Sequence, residues 1–194
     1  MTKADAGVAP TLIETPRLIM RQFVLQDAEA VYRFASNPEV VRYTGDGDDI
    51  KSLDDARRVI ENYWLAGYRD PGYARYALIH KQSNELIGFC GVKYEPLLNR
   101  GQGGVDIGYR MLPEYWGKGL ATEAVIACLH YARETLGIAC VYAEVMVENI
   151  ASSRVLEKAG MEQIDCYEDD GVRLYLYRTP KNLAKSSGPS SPCK

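Results

Sequence analysis

The sequence predicts a single α+β domain built around a mixed, mostly antiparallel sheet. Short segments of alternating hydrophobicity predict seven strands, and Asn84-Glu85 and Asp169-Asp170-Gly171 mark hairpin turns between two pairs of them. Four helical patterns separate the strands along the chain. With 194 residues and 46% hydrophobic content, the chain is long enough to bury one core.

The predicted elements are four helices and seven strands, each called from its periodicity and the turn residues beside it. In order they are a strand at about 17–22, helices at 28–36 and 53–66, strands at 75–80, 86–93 and 104–112, a helix at 120–136, a strand at 140–148, a helix at 151–159, and strands at 162–167 and 172–178. Ser52 with Asp55 resembles a capping box at the start of the second helix, although Asp replaces the usual Glu or Gln.

The third and fourth helices carry the clearest signals. The third has one apolar face, formed by Ala121, Ala124, Val125, Cys128, Leu129, Ala132 and Leu136, and Gly137 can end it. In the fourth, Asn149 is the expected N-cap and Gly160 the stop, with Ala151, Val155 and Ala159 as the expected inward stripe. The folded domain is expected at 11–180, with a flexible N-terminus at 1–10 and a disordered polar tail at 181–194.

Composition argues against several classes of protein. The net charge of −3 lacks the basic excess of a nucleic-acid binder, and no apolar run is long enough to span a membrane. Five cysteines without Cys-x-x-Cys spacing predict neither a disulfide framework nor a metal site. We therefore expect a cytoplasmic protein with no metal, no nucleic-acid partner and no membrane partner.

The most informative stretch runs from Tyr115 to Ala124, where a strand-like segment leads through a glycine-rich turn into the third helix. The first amides of a helix lack internal partners and carry partial positive charge, so this layout suits a phosphate. A P-loop is excluded because Lys118 is followed by Gly119, and a dinucleotide fingerprint is excluded because the third glycine place holds Thr122. The turn predicts a phosphate-bearing ligand of another kind.

Together with Asn149 and the helix after it, this turn resembles the GNAT superfamily of acetyl-CoA-dependent N-acetyltransferases. The family's pyrophosphate motif is Gln or Arg, two residues, Gly, one residue, then Gly or Ala; here Trp116, Gly119 and Ala121 stand at those places. The runs Glu14–Arg21 and Glu157–Met161 are similar to the branch that contains the ribosomal-protein N-terminal acetyltransferases. The resemblance spans about Thr11 to Arg178 and implies a twisted sheet whose fourth and fifth predicted strands splay to form the cofactor cleft.

The resemblance implies how acetyl-CoA is held. Backbone amides of the turn would cradle the pyrophosphate, namely those of Gly117, Lys118, Gly119, Leu120, Ala121 and Thr122. The backbone of Met111 and Leu112 would pair with the pantetheine arm, and an amide near Tyr109 would polarise the acetyl carbonyl. Asn149 would contact the arm or a nearby water, or act only as a helix cap. The Lys118 amine either reaches a phosphate or remains solvated.

Direct attack of an amine on the thioester is the family's usual route, and it requires a base. Asp106 and Glu144 are the candidate bases. The alternative for each is that it is a surface carboxylate with no catalytic role. Ser152 is a candidate donor to the departing thiolate. The family's usual tyrosine acid, seven residues after the asparagine, is replaced by Leu156; Tyr109, Tyr142, Tyr167 and Tyr175 are possible substitutes.

The acceptor is expected to be a primary amine, and a protein N-terminus or a small amine is favoured. An α-amine with a pKa of about 8 is partly neutral at pH 7, whereas a lysine near 10.4 is almost wholly charged, so an α-amine needs only a weak base. The acidic loop at 44–49 either attracts the amine or is an exposed turn. The alternatives are a polyamine or antibiotic acetyltransferase and a non-catalytic acyl-CoA-binding module. The family also implies a possible homodimer.

Overall fold

The computed structural model describes residues 9–44 and 50–180 and contains one eight-stranded sheet. Its strands are β1 Thr11–Glu14, β2 Leu18–Arg21, β3 Arg75–His80, β4 Glu85–Glu95, β5 Gly104–Met111, β6 Tyr142–Met146, β7 Glu162–Asp169 and β8 Val172–Arg178. The spatial order is β1-β2-β3-β4-β5-β6-β8-β7, and only β5 and β6 run parallel. The predicted α+β fold with a mostly antiparallel sheet is confirmed.

Helices cover both faces of this sheet. They are α1 Ala28–Ala35, α2 Pro38–Val41, α3 Leu53–Val59, α4 Ala66–Arg69, α5 Leu98–Gly101, α6 Leu120–Glu134 and α7 Ile150–Lys158. A π-helical segment, Ile60–Leu65, joins α3 to α4, and 3-10 turns lie at Leu25–Asp27 and Pro113–Tyr115. The four predicted helices correspond to α1, the α3–α4 run, α6 and α7.

The two faces of the sheet have different cores. On one face an aromatic cluster packs beneath α1 and the π-helical segment, with Phe23 stacked on Trp64 at 4.0 Å between ring centroids and Phe34 edge-on to Phe89 at 5.9 Å. On the other face α6 covers β4 and β5, and the Tyr76 ring meets the Tyr131 ring of α6 edge-on at 6.0 Å. Residues of β5 therefore alternate between an α1 face and an α6 face.

The differences from the predicted elements have local causes. The edge strand β1 has only four residues, which is too few for an alternating pattern to stand out. It pairs with β2 through the turn at Thr15, whose amide donates to the Leu18 carbonyl.

The Ser52 hydroxyl caps α3 by accepting from the Asp55 amide at 3.1 Å, as expected. The shorter Asp55 side chain accepts from the Lys51 amide in return.

The expected inward stripe of α7 is wrong in part. The buried residues are Ser153 and Leu156, whereas Ala151 is exposed and Val155 and Ala159 are partly buried. The helix is therefore rotated from the expected orientation, and Leu156 lies in the core rather than facing the cleft. The predicted flexible N-terminus and polar tail lie almost wholly outside the described residues, as does most of the acidic loop at 44–49.

Candidate active site

A cleft opens where β5 and β6 part. The two parallel strands share one register pair, Asp106 with Tyr142, so their carboxyl-terminal halves separate beyond that point. β5 remains paired to β4 along its whole length, from Gly104 opposite Glu95 to Met111 opposite Gly88. The backbone of β5 beyond Asp106 is therefore left facing an unfilled edge, as the sequence analysis expects for the pantetheine arm.

Only some of the expected β5 amides face this edge. The Leu112 amide donates to the Ile87 carbonyl at 2.9 Å and is directed at β4. Because alternate residues of an antiparallel strand direct their backbone groups to opposite sides, the backbones of Met111 and Tyr109 are directed at the cleft. These two fit the expected cofactor contacts, and the Leu112 amide does not.

The glycine-rich turn after β5 has the backbone that a pyrophosphate cradle requires. Gly119 has φ 76°, a left-handed conformation that favours glycine, and it is the N-cap of α6. The first helical amide with a partner inside the helix is that of Glu123, which donates to the Gly119 carbonyl at 3.1 Å. The amides of Leu120, Ala121 and Thr122 precede it and are open to an anion.

Space above the turn is also open. A Cβ built on Gly117 would meet nothing within 4 Å, and one built on Gly119 would meet only an Arg17 guanidinium nitrogen at 3.6 Å. The Lys118 ammonium lies 5.5 Å from the centroid of the Tyr115 ring, at the margin of this space. The turn therefore fits the pyrophosphate of acetyl-CoA in both backbone conformation and free volume.

Two further residues, Arg17 and Trp116, hold this turn in place. The Arg17 guanidinium donates to the Lys118 carbonyl at 2.8 Å and pairs with the Glu123 carboxylate at 2.6 Å. Trp116 stands at the motif position that is Gln or Arg in relatives, and its Nε1 donates to the Met111 carbonyl at 2.7 Å. The motif Glu14–Arg21 contained a signal for Arg17, because it was part of the family resemblance.

The carboxylate of Glu123 is an ion-pair and hydrogen-bond anchor beneath the turn. Burial is the largest single influence and raises the pKa of Glu123, but hydrogen bonds from Thr15 and Arg17 outweigh it, and the pKa lies below its usual value. Thr15 donates its hydroxyl to the carboxylate at 2.6 Å, and the Arg17 amide donates to it at 3.0 Å. The ionised carboxylate thus ties the β1–β2 turn to the first turn of α6.

The two candidate bases lie on the α1 face of the sheet in different surroundings. Asp106 forms an ion pair with Arg75, and the two side chains are only 16% and 10% exposed. The Arg75 guanidinium also donates to the Gly91 carbonyl at 2.5 Å, and it lies against Gly108, where a Cβ would collide with it at 2.5 Å. Asp106 is thus committed to balancing a buried guanidinium.

Glu144 lies two residues beyond the Tyr142 register pair, at the point where the strands separate. Its Oε1 accepts from the Asn99 amide at 2.6 Å and from the Tyr167 hydroxyl. Both hydrogen bonds that the described part of the chain gives to this carboxylate fall on the one oxygen. Of the two candidate bases, Glu144 is the one at the mouth of the cleft, and no cationic side chain within residues 9–44 and 50–180 forms an ion pair with it.

The α6 face of the cleft carries Tyr109, Asn149 and Ser152. The Tyr109 hydroxyl donates to the Ser152 carbonyl at 3.1 Å, which joins β5 to the first turn of α7. Burial raises the pKa of Tyr109, so the phenol stays protonated. Asn149 Oδ1 accepts from the Ser152 amide at 3.1 Å, which is the helix-cap role, and this leaves its amide NH₂ group as the part able to reach a ligand.

A second depression of about 810 Å³ adjoins the turn on the other side of α6. It is formed by β1 and the exposed side of α6, and it shares Gly119 and Thr122 with the glycine-rich turn. No residue of β5 or β6 lines it, so it lies apart from the cleft where the carboxylates are. Within the described ranges there is no cluster of metal-ligating side chains and no helix long and apolar enough to cross a membrane.

Comparison with known proteins assigns the family. The acetyltransferase (GNAT) domain model matches residues 17–162. The uncharacterized N-acetyltransferase YoaA of Bacillus subtilis is 34% identical over 168 residues, which cover 86% of this chain and 89% of that protein.

Solved structures show the same fold. A GNAT-family acetyltransferase from Bacillus anthracis has a TM-score of 0.73 at 26% identity, over 87% of this chain and 98% of that one. The ribosomal-protein α-N-acetyltransferase RimL, solved with coenzyme A, has a TM-score of 0.70 at 20% identity, over 84% and 94% of the two chains. The glycine-rich turn, the parted strands and these matches lead to one conclusion: the chain belongs to the GNAT family of acetyltransferases, enzymes that transfer the acetyl group of acetyl-CoA to amines.

Proposed function

We propose that this protein acetylates α-amines, at peptide or protein N-termini or on small molecules of similar basicity. The observation that carries the proposal is the placement of Glu144 at the point where β5 and β6 part. In the described part of the chain this carboxylate forms no ion pair and is held by hydrogen bonds alone. A carboxylate is in general a weak base toward an ammonium. It suits an amine with a pKa of about 8 better than a lysine near 10.4.

The residues of the cleft divide the work of binding and transfer. Gly117, Lys118, Gly119 and the first amides of α6 hold the pyrophosphate. The Met111 amide pairs with the arm, because the Met111 carbonyl already accepts from Trp116. Bound acetyl-CoA supplies an activated thioester, whose carbonyl carbon is attacked by the amine as its carbon–sulfur bond breaks. The Tyr109 amide is directed at this edge and is positioned to polarise the thioester carbonyl.

Two protons leave the amine nitrogen in this scheme. Glu144 takes the first from the ammonium through Oε2, directly or through a water, which gives the neutral nucleophile. The second passes to the departing sulfur, so amide and free thiol are the products. The Tyr109 hydroxyl, whose one proton is directed at the Ser152 carbonyl in this structure, turns to donate it to that sulfur as charge develops. Its raised pKa makes it a hydrogen-bond donor rather than a proton source.

Tyr109 thereby takes the place of the family's usual tyrosine. That position is Leu156, which is fully buried, and the Tyr109 hydroxyl reaches the same helix one turn earlier, at the Ser152 carbonyl. Of the other tyrosines named from the sequence, Tyr167 is committed to Glu144 on the opposite face. The Ser152 hydroxyl remains an alternative donor, because it lies on the same turn of α7 and is half-buried.

An acceptor panel tests the proposal. Acetyl-CoA would be supplied with peptides bearing a free N-terminus, N-blocked peptides bearing a lysine, spermidine and an aminoglycoside, and release of the CoA thiol would be measured. We expect the free N-terminal peptides to react fastest. Preferential acetylation of the polyamine or the aminoglycoside would replace the α-amine assignment, and binding of acetyl-CoA without turnover on any amine would indicate a non-catalytic module.

The setting of this activity is also proposed. The four described cysteines, Cys90, Cys128, Cys140 and Cys166, are free thiols, which fits a reducing cytoplasm. A homodimer remains a proposal that rests on family resemblance, and size-exclusion chromatography with light scattering would test it.

A further inference from the structure

The short segment α5, which forms the turn between β4 and β5, is not helical at its centre. Asn99 has φ 55° and ψ 55°, and Arg100 follows with φ 58° and ψ 38°, so two consecutive residues that are not glycine are left-handed. This conformation costs conformational energy, more so for arginine than for asparagine, and surrounding contacts have to hold it. The contacts made by these two residues show what the turn does.

Both residues of the turn make contacts near Glu144, Asn99 directly and Arg100 through Tyr167. The Asn99 amide donates to Glu144 Oε1 at 2.6 Å. The Arg100 guanidinium lies over the Tyr167 ring, 4.4 Å from its centroid, and pairs with Asp165 Oδ2 at 2.9 Å. Arg100 therefore fixes the ring whose hydroxyl donates to Glu144.

The Tyr167 hydroxyl stays protonated and donates its hydrogen bond to Glu144. Burial is the largest influence that raises the pKa of Tyr167, and the adjacent Glu144 carboxylate raises it further. The phenol is therefore protonated throughout the range in which an amine acetyltransferase works. The Tyr167 ring is buried at 8% exposure, so the hydroxyl has little freedom to turn away from the carboxylate.

We infer that Tyr167 and the Asn99 amide position Glu144 as the amine-binding base, by fixing Oε1 and leaving Oε2 directed to the acceptor. This inference rests on the proposed function. In this scheme Tyr167 acts through Glu144 and contacts neither acetyl-CoA nor the amine, so it is a positioning residue. A hydroxyl that donates to a carboxylate favours it over the carboxylic acid, so loss of such a donor is an effect that a pH profile can detect.

The other charged groups around Glu144 come from α5, β5, β7 and β8. Arg100 and Asp165 form an ion pair beside Tyr167, and Asp169 lies on the same strand, β7. On β5, Asp106 is balanced by Arg75. On β8 the residue opposite Glu144 is the uncharged Leu176, and Arg178 lies on the same face, opposite Tyr142. None of these groups is altered when only the Tyr167 hydroxyl is removed. A change in the pH profile after loss of the Tyr167 hydroxyl is therefore assigned to the contact between Tyr167 and Glu144.

The test is Tyr167→Phe, which keeps the ring beneath Arg100 and removes only the hydroxyl. We expect kcat to fall about tenfold, the acid limb of the kcat/KM profile to move to higher pH by about half a unit, and the Kd of acetyl-CoA to stay unchanged. The matched control is Tyr177→Phe, which removes another hydroxyl-to-glutamate bond, that from Tyr177 to Glu157 Oε1 at 3.3 Å on the α6 face. The control should keep the wild-type profile.

The outcomes separate the inference from the function on which it rests. If wild-type protein acetylates amines while Tyr167→Phe keeps the wild-type kcat and acid limb, the positioning role is refuted and the function stands. If wild-type protein acetylates no amine, the proposed function fails first. Arg100→Met is the second variant; it keeps the hydroxyl but frees the ring, and we expect a smaller loss of kcat in the same direction. A folded Arg100→Met protein with wild-type kcat would contradict the role given to the turn.

Discussion

At the scale of single residues, the acidic side chains near the cleft do different work although they share one face of the sheet. Asp106 balances Arg75, whereas Glu144 is held by two neutral donors. Both were candidate bases from the sequence, because each lies on a strand beside the expected cleft. The contact that separates them, Arg75 with Asp106, joins residues 31 positions apart, and no local pattern predicts it.

We predict that Asp106→Asn lowers stability more than it lowers turnover. The substitution leaves the buried Arg75 guanidinium without its counter-charge, at a cost of about 1–3 kcal/mol in the free energy of unfolding. Urea denaturation measures this cost, and the acetyl-transfer rate of the folded variant measures catalysis. Unchanged stability together with a rate reduced a hundredfold would instead make Asp106 the base.

We predict that the Tyr109 hydroxyl assists departure of the CoA sulfur. Tyr109→Phe keeps the ring in the cleft but removes the hydroxyl, so kcat should fall about tenfold while the Kd of acetyl-CoA changes less than about twofold. Steady-state kinetics and calorimetry measure the two quantities, with Tyr177→Phe as the control. A wild-type kcat in Tyr109→Phe would transfer this role to another donor, with Ser152 the next to test.

At the scale of elements, the turn between β5 and α6 is the part that sequence predicts best. Its glycines and the amphipathic α6 are encoded locally, and Gly119 and Gly137 both have the left-handed backbone expected of a helix start and stop. The contact that restrains it was not predictable in the same way, because Arg17 lies in the β1–β2 turn, 101 residues before Lys118. Local sequence signals therefore predict the glycine-rich turn, but they do not predict the long-range contacts that hold it in place.

Gly119→Asp is the sharpest substitution in this element. A carboxylate beside the open amides of α6 would repel the pyrophosphate and pair with Arg17, so we expect the Kd of acetyl-CoA to rise at least about a hundredfold. The matched control is Gly137→Asp, at the other end of the same helix, where φ is 70° and a Cβ meets nothing within 4 Å. Calorimetry should show a normal Kd in the control. Equal loss of affinity in both variants would mean that helix strain, and not the phosphate site, is responsible.

At the scale of the whole molecule, the cleft is a product of sheet order. One parallel pair among antiparallel neighbours lets β5 and β6 part, and the order β6-β8-β7 brings Tyr167 beside Glu144. The helix and strand patterns predict most elements but not β1, α2 or α5, which are too short for periodicity to reveal. The predicted helix at 53–66 contains the π-helical segment, but the pattern does not show its wider turn. The contacts that assign roles depend on pairing between distant strands, which a single sequence does not specify.

We predict that the stability of the fold falls in acid, because carboxylates on several elements are held by hydrogen bonds and ion pairs. The Arg100 hydrogen bond lowers the pKa of Asp165, and the Tyr115 hydroxyl lowers that of Glu85. Because these folded-state pKa values are depressed, the stability they contribute is present above the unfolded value of about 4 and is lost as pH falls through the folded values. The urea midpoint should be steady from about pH 7 to about pH 5 and fall below about pH 4.

The Asp165→Asn variant provides the control for that titration. It lacks one of the depressed carboxylates, so its midpoint should fall less steeply in acid than that of wild-type protein. A midpoint that stays level down to about pH 3 in wild-type protein would show that these contacts contribute nothing to stability.

The most direct test of the account compares wild-type protein with Glu144→Gln on an accepted amine, with acetyl-CoA affinity measured on the same samples. Glutamine keeps the size of the side chain and cannot take a proton, so we predict that kcat falls at least about a hundredfold while the Kd of acetyl-CoA stays within about twofold. The exposed Glu162→Gln on β7 is the control and should match wild-type protein. A Glu144→Gln enzyme with a kcat near that of wild-type protein would contradict the account, because no base would then be needed at the place where the strands part.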